Sequence, residues 1–263
     1  MSFKDQVVWI TGASSGIGES LALAFSQAGA KLILSARRQQ ELERVKALCD
    51  RPDQHLVLPL DMSDFEAVAQ SVHLVKAWSQ RLDLVIQNAG ISQRSLVKDT
   101  LFSVDERIMR VNYLGVVAHT KAILPWFLEQ GRGHFVVISS LVGKFATPLR
   151  SAYAASKHAL HGFFDAMRSE LHTQNIAVTI LCPGYIHTNI SYHALTADGH
   201  PQGILDQAQA NGLSTEAFAK RALQVISRRQ AEAYIGGKER LGVWVHRFFP
   251  GLFRILIRRV KVT

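Results

Sequence analysis

The sequence predicts an α/β fold, a single doubly wound parallel sheet of about seven strands with helices on both faces. Three observations predict it. Short apolar segments without polar alternation recur along the chain, as is typical of strands buried on both faces. Longer segments with helical periodicity alternate with them, which favours parallel strands joined by right-handed crossovers. With 263 residues, 48% of them hydrophobic, the chain can bury one large core.

The predicted strands and helices follow one another as far as residue 235. Strands are predicted at 7–10, 31–35, 55–60, 82–87, 134–139, 176–181 and 233–235, and the clearest helices at 18–28, 39–48, 63–79, 112–129 and 152–173. No linker rich in Gly, Ser or Pro divides them, and no internal repeat is found. We therefore expect one domain over residues 1–238, with an irregular polar segment at 187–213, and a basic amphipathic tail over 239–263.

Charge and cysteine content argue against several classes of function. The formal net charge is +9, but residues 238–263 carry +6 of it, so the body of the chain is nearly neutral and we expect no nucleic-acid partner. Cys49 and Cys182 have no metal-ligand spacing, which predicts reduced thiols, no metal site and a cytoplasmic protein. We find no leader before the first strand, and no segment approaches the roughly 18 apolar residues of a membrane-spanning helix.

A glycine-rich turn joins the first predicted strand to the first predicted helix. Residues 11–18 place Gly12, Gly16 and Gly18 around Ser14, Ser15 and Ile17. Glycines let the backbone turn sharply and approach a pyrophosphate, and free amides at the helix start bind the anion. An ordinary turn would also explain a lone glycine motif, but its position between a strand and a helix favours dinucleotide binding.

The end of the second predicted strand bears on the choice of cofactor. A carboxylate there would bind the ribose 2′-hydroxyl of NAD and repel a 2′-phosphate. This strand instead ends in Ser35-Ala36-Arg37-Arg38, with two guanidinium groups and no carboxylate. Because a guanidinium matches phosphate geometry, we predict NADP(H) rather than NAD. The alternative is that both arginines only form the solvated start of a helix.

Tyr153 and Lys157 lie one helical turn apart in the predicted helix at 152–173. Because positions i and i+4 share a helix face, the phenol and the ammonium can act at one site. A nearby cation favours the phenolate and brings the tyrosine pKa towards the working range of a general acid or base. Alone, such a pair is usually structural. However, Ser140 follows the predicted strand at 134–139, at the edge where doubly wound sheets bind ligands.

The motifs together resemble one known family. Residues 11–18, Asn88-Ala89-Gly90, Asn112, Ser140, Tyr153-x-x-x-Lys157 and Pro183-Gly184 are similar, in order and spacing, to the short-chain dehydrogenase/reductase family. The resemblance runs from about residue 6 to about residue 235. Arg37 and the basic, apolar C-terminus are most similar to its NADP-preferring, hydroxysteroid dehydrogenase-like branch. The resemblance implies a Rossmann-like fold and an NADP(H)-dependent oxidoreductase that interconverts an alcohol and a ketone or aldehyde.

The resemblance also implies roles for individual residues. Tyr153 would be the general acid/base, Lys157 would lower its pKa and hold the nicotinamide ribose, and Ser140 would orient the reacting oxygen. Asn112 would hold a water that links Lys157 to solvent. The cofactor would contact Gly12, Ser14, Ser15, Gly16, Ile17, Gly18, Arg37, Arg38, Asp61, Met62, Asn88, Ala89, Gly90, Tyr153, Lys157, Pro183, Gly184, Ile186 and Thr188, and the substrate would contact Ser140, Val142, Tyr153 and Tyr185.

Simpler roles remain open for three of these residues. Ser140 would then cap a loop, Asn112 would cap a helix that begins at Tyr113, and Asp61 would cap the helix after Ser63. The alternative function is a non-catalytic dinucleotide-binding sensor or scaffold that kept the fold. Such a protein would not need an intact set of proton-transfer groups.

Specificity and partners are expected to depend on segments outside the motifs. Residues 187–213, 92–96 and 141–149 would shape the substrate site, where Val142, Phe145 and Tyr185 favour a small hydrophobic carbonyl or alcohol. The helices at 112–129 and 152–173 would form a homodimer or homotetramer, as the resemblance implies. In the tail, basic and apolar residues fall largely on opposite sides, with Pro250 separating two short helices. This tail would bind an anionic membrane surface, or pack on a partner subunit or on the protein's own core.

Overall fold

The computed structural model describes residues 3–258, and it contains the predicted parallel sheet. Its strands are β1 (Val7–Thr11), β2 (Lys31–Ser35), β3 (Leu56–Val57), β4 (Leu84–Gln87), β5 (Gly133–Ile138), β6 (Ile176–Pro183) and β7 (Glu232–Ile235). They pair in the order β3-β2-β1-β4-β5-β6-β7, and every pairing is parallel. The order reverses between β1 and β4, where open sheets of this kind bind ligands beyond the carboxyl ends of the strands.

Helices flank the sheet on both faces. They are α1 (Gly16–Gln27), α2 (Gln39–Leu48), α3 (Phe65–Trp78), α4 (Phe102–Met109), α5 (Gly115–Gln130), α6 (Ser151–Glu170), α7 (Gln207–Ala210), α8 (Thr215–Ser227), α9 (Leu241–Phe248) and α10 (Pro250–Ile257). A 3₁₀ helix, Leu141–Gly143, separates β5 from α6. The single α/β sheet predicted from the alternating pattern is therefore confirmed.

Strand β1 shows how the apolar segments produce two cores. Its side chains alternate across the sheet. Val7 and Trp9 pack with residues of α3, α5 and α6, whereas Val8 and Ile10 pack with residues of α1, α2 and α8. All four are buried. Full burial of each such side chain stabilises the fold by about 1.5–3 kcal/mol, so both layers hold the strand ends in place.

Most predicted boundaries lie within three residues of the observed ones, and two elements differ in a way that bears on the site. Strand β3 covers only two of the six residues predicted at 55–60, although Leu58 and Leu60 still donate backbone hydrogen bonds to β2 and the residue after it. The helix predicted to start at 112 belongs to a helical run that begins at Phe102, passes through a π-helical turn at Arg110–Leu114 and continues as α5. Asn112 therefore lies inside a helix and does not cap one.

The segment at 187–213 is irregular, as predicted, apart from the single turn α7. The tail contains two short helices, α9 and α10, divided at Phe249 and Pro250. Val243 and Phe253 are buried in the main core, so the tail packs against the body of the protein. Predicted tail positions 259–263 lie outside the described residues. Within residues 3–258, none of the helices has the length and apolar content needed to span a bilayer.

Candidate active site

A cavity of about 1120 Å³ opens beyond the carboxyl ends of the strands. The glycine turn after β1 lines one end of it, and the start of α6 lines the other. Residues that follow β4, β5 and β6 complete its walls. The cavity therefore lies at the switch point of the sheet and joins the two predicted sites, the phosphate-binding turn and the Tyr153–Lys157 pair.

The glycine turn is shaped to let an anion approach the backbone. Gly12 and Gly16 have φ of +67° and +58°, a region that favours glycine. A Cβ at Gly16 would lie 3.1 Å from Thr188, across the cavity mouth. The side chain of Ser15 makes no capping hydrogen bond, so the first amides of α1 remain available to a ligand. These features fit a pyrophosphate at the start of α1.

Two predicted residues hold this turn in shape. Gly18 does not line the cavity; a Cβ there would come within 2.1 Å of the Gly12 carbonyl oxygen, so the turn closes only around a glycine. Asn88 donates from Nδ2 to the carbonyls of Thr11 and Gly12 at 3.0 and 3.1 Å. Asn88 therefore braces the turn after β1 in addition to lining the cavity.

A cluster of cationic side chains lies at the end of β2. Arg37 and Arg38 are exposed and line the cavity, and Arg38 donates to the Ser14 hydroxyl at 3.5 Å. Arg107 of α4, which the sequence did not single out, lines the same end. Partial burial alone would raise the pKa of Asp61, but hydrogen bonds from Ser63 and the charges of Arg37 and Arg107 lower it.

Tyr153 and Lys157 project into the other end of the cavity from α6 and are both buried. Burial raises the pKa of Tyr153, opposed by the Arg150 cation, a hydrogen bond with Ser140 and the Arg94 cation. Tyr153 therefore carries its proton at neutral pH, as a proton donor to a carbonyl must.

In the structure, Lys157 donates to a backbone carbonyl and makes no hydrogen bond to Tyr153. Its Nζ lies 5.8 Å from the centre of the Tyr153 ring and donates to the Ile138 carbonyl at 2.8 Å. The charges of Arg150 and Arg94 oppose the rise in the pKa of Tyr153 that burial causes. Burial lowers the pKa of Lys157 to about 8, so this side chain is still mainly cationic at neutral pH.

Of the simpler roles considered for Ser140 and Asn112, capping applies to Ser140 but not to Asn112. The Ser140 hydroxyl accepts weakly from the Val142 amide at 3.4 Å, so it caps the 3₁₀ helix while also lining the cavity beside Tyr153. The Asn112 side chain is fully buried and does not line the cavity. Its Oδ1 accepts from the Ile91 amide at 2.8 Å, and its Nδ2 donates to the Ile91 carbonyl at 2.9 Å. Asn112 thus fixes the strand-end loop over which Lys157 lies.

The cavity gathers nearly all the predicted site residues. Those that line it are Gly12, Ser14, Ser15, Gly16, Ile17, Arg37, Arg38, Asp61, Met62, Asn88, Ala89, Gly90, Ser140, Val142, Tyr153, Lys157, Pro183, Gly184, Tyr185, Ile186 and Thr188. Asn112 and Gly18 lie behind it. Among residues 3–258, no group of His, Cys, Asp or Glu side chains is arranged to hold a metal ion.

Sequence reasoning missed two buried arginines in this cavity, Arg94 and Arg150. Arg94 lies within the segment 92–96 that was expected to shape the substrate site. Arg150 lies three residues before Tyr153, so a helical projection of α6 would have placed it near the phenol. No local pattern showed that either guanidinium is buried.

Comparison with known proteins identifies the family. The family model described as short chain dehydrogenase matches residues 6–198. The Drosophila melanogaster protein named Dehydrogenase/reductase SDR family protein 7-like is 44% identical over 254 residues, which cover 94% of this chain and 78% of that protein.

Two solved structures share the fold. A short chain dehydrogenase/reductase from Burkholderia phymatum, in complex with NAD, has a TM-score of 0.84 at 21% identity and covers 96% of both chains. One from Burkholderia cenocepacia, in complex with NADP, has a TM-score of 0.81 at 21% identity and covers 98% of this chain and 99% of that one. With a family model matched over most of its length and a relative of this similarity, the chain belongs to the short chain dehydrogenase family.

Proposed function

We propose that this protein is an NADP(H)-dependent oxidoreductase that interconverts a hydrophobic ketone or aldehyde and its alcohol. One observation carries the proposal: Tyr153 and Ser140 line the same cavity as a glycine turn with free helix amides. A proton-transfer group and an anion-binding turn in one cavity are what hydride transfer to a carbonyl requires. A sensor or scaffold protein would need only the turn.

The chain's own residues would handle the proton and the substrate oxygen. A bound nicotinamide supplies or accepts the hydride. Ser140 hydrogen-bonds the substrate oxygen and orients it towards Tyr153. Tyr153 donates its phenolic proton to that oxygen in reduction and takes a proton back in oxidation. The Arg150 guanidinium, together with the Lys157 ammonium 5.8 Å from the centre of the phenol ring, stabilises the phenolate left behind.

The end of β2 supports NADP(H) over NAD(H). The two solved neighbours hold NAD and NADP respectively, so the preference depends on the residues of this chain. Here Arg37 and Arg38 are exposed at the cavity wall and Arg107 adds a third positive charge. Their guanidinium groups suit a 2′-phosphate, and Asp61 is already hydrogen-bonded to Ser63.

The test is a screen of medium-chain ketones, aldehydes and secondary alcohols with NADPH or NADP⁺, read at the nicotinamide absorbance. We expect wild-type turnover, and we expect Tyr153→Phe to lose roughly 10²–10⁴-fold in kcat while NADPH still binds. Binding of NADPH is measured by its fluorescence. Tight NADPH binding without turnover of any compound by the wild-type protein would favour the sensor interpretation.

We also propose that the tail helices bind an anionic membrane surface. Large apolar side chains of α9, of α10 and of the residue between them are between 47% and 64% exposed. They are Leu241, Trp244, Phe248, Phe249, Leu252, Ile255 and Leu256. Exposed Arg240, Arg247, Arg254 and Arg258 lie on or beside the same helices. Apolar and basic groups together are typical of interfacial helices, and Leu256 also lines the cavity, which gives an apolar substrate a route from the lipid.

Flotation with phosphatidylserine-containing vesicles tests the membrane proposal. We expect Trp244→Ser with Phe248→Ser to reduce binding at least about fivefold. The matched control, Leu48→Ser with Leu74→Ser, removes equally exposed apolar groups elsewhere and should leave binding unchanged. Absence of wild-type binding at low salt would contradict the proposal.

Light scattering tests the proposed homo-oligomer formed through α5 and α6. A change of mass in the Trp244/Phe248 variant would assign the tail to a subunit interface instead.

A further inference from the structure

Two buried guanidinium groups share a single carboxylate at the substrate end of the cavity. Arg94 and Arg150 are 8% and 7% exposed, and Asp206 is 2% exposed. Buried charges are normally paired, because removing an unpaired charge from water costs several kilocalories per mole. The two guanidinium groups carry one more positive charge than Asp206 can neutralise.

Arg94 donates two hydrogen bonds to one carboxylate oxygen of Asp206. Its Nε and Nη2 donate to Asp206 Oδ2 at 2.9 and 2.5 Å, and its Nη1 donates to Ser92 and to the Gln93 carbonyl. The second carboxylate oxygen, Oδ1, accepts from Gln202 at 3.1 Å. The side-chain hydrogen bonds of Asp206 are therefore made with Arg94 and with Gln202 of its own loop, and none is made with Arg150.

Arg150 is left without a hydrogen-bond partner. Its Nη2 lies 3.7 Å from Asp206 Oδ2, too far for a hydrogen bond, and neither Nε nor Nη2 has an acceptor among the described residues. The hydroxyl of Thr147, three residues before Arg150 and in the lining of the same cavity, is also buried without a partner. Burial and the Arg94 charge lower the pKa of Arg150, whereas Tyr185, Tyr153 and Asp206 act in the opposite direction.

The Arg150 guanidinium, which is 3.7 Å from Asp206 but has no hydrogen-bond acceptor at Nε or Nη2, borders the part of the cavity that a substrate would occupy. Arg150 lines the cavity together with Ser140 and Tyr153, and its guanidinium carbon is 5.8 Å from the centre of the Tyr185 ring. The glycine turn that fits the cofactor phosphates is at the other end. Leu149, held by its carbonyl to the Ser95 amide, has φ of +64°, an unusual conformation for a branched side chain.

The geometry points to an anion subsite. Arg150, with Thr147, binds a carboxylate or phosphate group carried by the substrate close to its reacting carbon. This inference rests on the proposed function, because it places the anion beside the carbonyl that Tyr153 protonates. Phe145, Val245, Phe253 and Ile257 line the same cavity, so the rest of the substrate is hydrocarbon. The substrate class is an anionic, amphiphilic ketone or its alcohol.

Two matched pairs of compounds test the subsite. One is a medium-chain γ-keto acid and its methyl ester; the other is the phosphate monoester of a medium-chain hydroxymethyl ketone and the free hydroxymethyl ketone. We expect kcat/KM to be roughly ten- to a hundredfold higher for the anionic member of at least one pair, the range expected for a charge-assisted hydrogen bond. The pair with the larger ratio identifies the anion.

Variants at Arg150 assign that preference to its guanidinium. Arg150→Met should bring the anionic-to-neutral ratio close to one, whereas Arg150→Lys should retain part of it. Wild-type ratios near one for both pairs would overturn the inference, as would a ratio that survives Arg150→Met. The wild-type ratios of kcat/KM are sufficient to contradict the inference, so the test does not depend on whether the Arg150 variants fold.

Calorimetry separates failure of the subsite from failure of the proposed function. Octanoate, octyl phosphate and octanol are titrated into the wild-type protein with NADP⁺ present. The inference expects at least roughly tenfold tighter binding of one octyl anion than of octanol. Inactivity towards all four carbonyl compounds would contradict the proposed enzyme while leaving this measurement decisive. Equal binding of both anions and the alcohol would contradict the subsite while leaving activity on neutral ketones intact.

Discussion

The two ends of the cavity are built in different ways. The cofactor end consists mainly of backbone from one continuous turn, residues 11–18, braced by Asn88. The substrate end depends on side chains from distant positions, with Arg94 and Asp206 separated by 112 residues. The first end is therefore encoded locally and the second by tertiary contacts. We therefore expect substitutions at the two ends to affect cofactor binding and stability differently.

The largest expected effect is at Gly18 in the cofactor end. A Cβ there would come within 2.1 Å of the Gly12 carbonyl oxygen, which cannot move without opening the turn. We expect Gly18→Ala to abolish measurable NADPH binding and to lower the free energy of unfolding by about 3 kcal/mol.

Gly162 provides the matched control, because it also lies in a helix but a Cβ there meets nothing within 4 Å. Gly162→Ala should be neutral or stabilise by about 0.5–1 kcal/mol. Denaturant unfolding and NADPH fluorescence measure both variants. Normal NADPH binding by Gly18→Ala would break the comparison, since the turn would then tolerate a side chain.

The next effect is at Asp206 in the substrate end. Asp206→Asn leaves two buried guanidinium groups without a counter-charge, and breaking a buried pair in this way typically costs about 3–5 kcal/mol. The exposed pair Lys98–Asp99, 3.8 Å apart, supplies the control, and Asp99→Asn should change stability by less than about 0.5 kcal/mol. Equal stabilities of the two variants in urea would show that the Arg94–Asp206 pair does not hold the substrate end together.

The smallest effect expected is at the arginines after β2, because both are exposed. Arg37→Met and Arg38→Met should each weaken NADPH binding by roughly tenfold, the loss of one charge-assisted contact, and leave NADH binding nearly unchanged. Arg221→Met, an exposed position on α8, should affect neither cofactor. Equal weakening of NADPH and NADH would contradict a 2′-phosphate site there.

The sequence predicted the sheet well because buried parallel strands have a local signature. The prediction at 31–35 coincides with β2, and the helix predicted at 39–48 coincides with α2. The glycine turn and the Tyr153–Lys157 pair were equally visible, since each depends on spacing within a few residues. All three features are set by neighbours in the chain.

What the sequence did not predict depends on contacts between distant residues. The π-helical turn around Asn112 leaves no periodic signal, and it is held by hydrogen bonds to Ile91. The burial of Arg94 and Arg150 follows from how the loop carrying Asp206 folds back over the cavity. Equally, only the structure shows that Lys157 donates to the Ile138 carbonyl and that the charges of Arg150 and Arg94 oppose the rise in the pKa of Tyr153.

A crystal structure of the complex with NADP⁺ tests the central claim most directly, because the claim is that one dinucleotide spans both ends of the cavity. We expect the pyrophosphate on the amides at the start of α1, the 2′-phosphate against Arg37 or Arg38, and the nicotinamide ring beside the Tyr153 hydroxyl. A nicotinamide ring far from Tyr153, with the phenol turned away from it, would contradict the assignment.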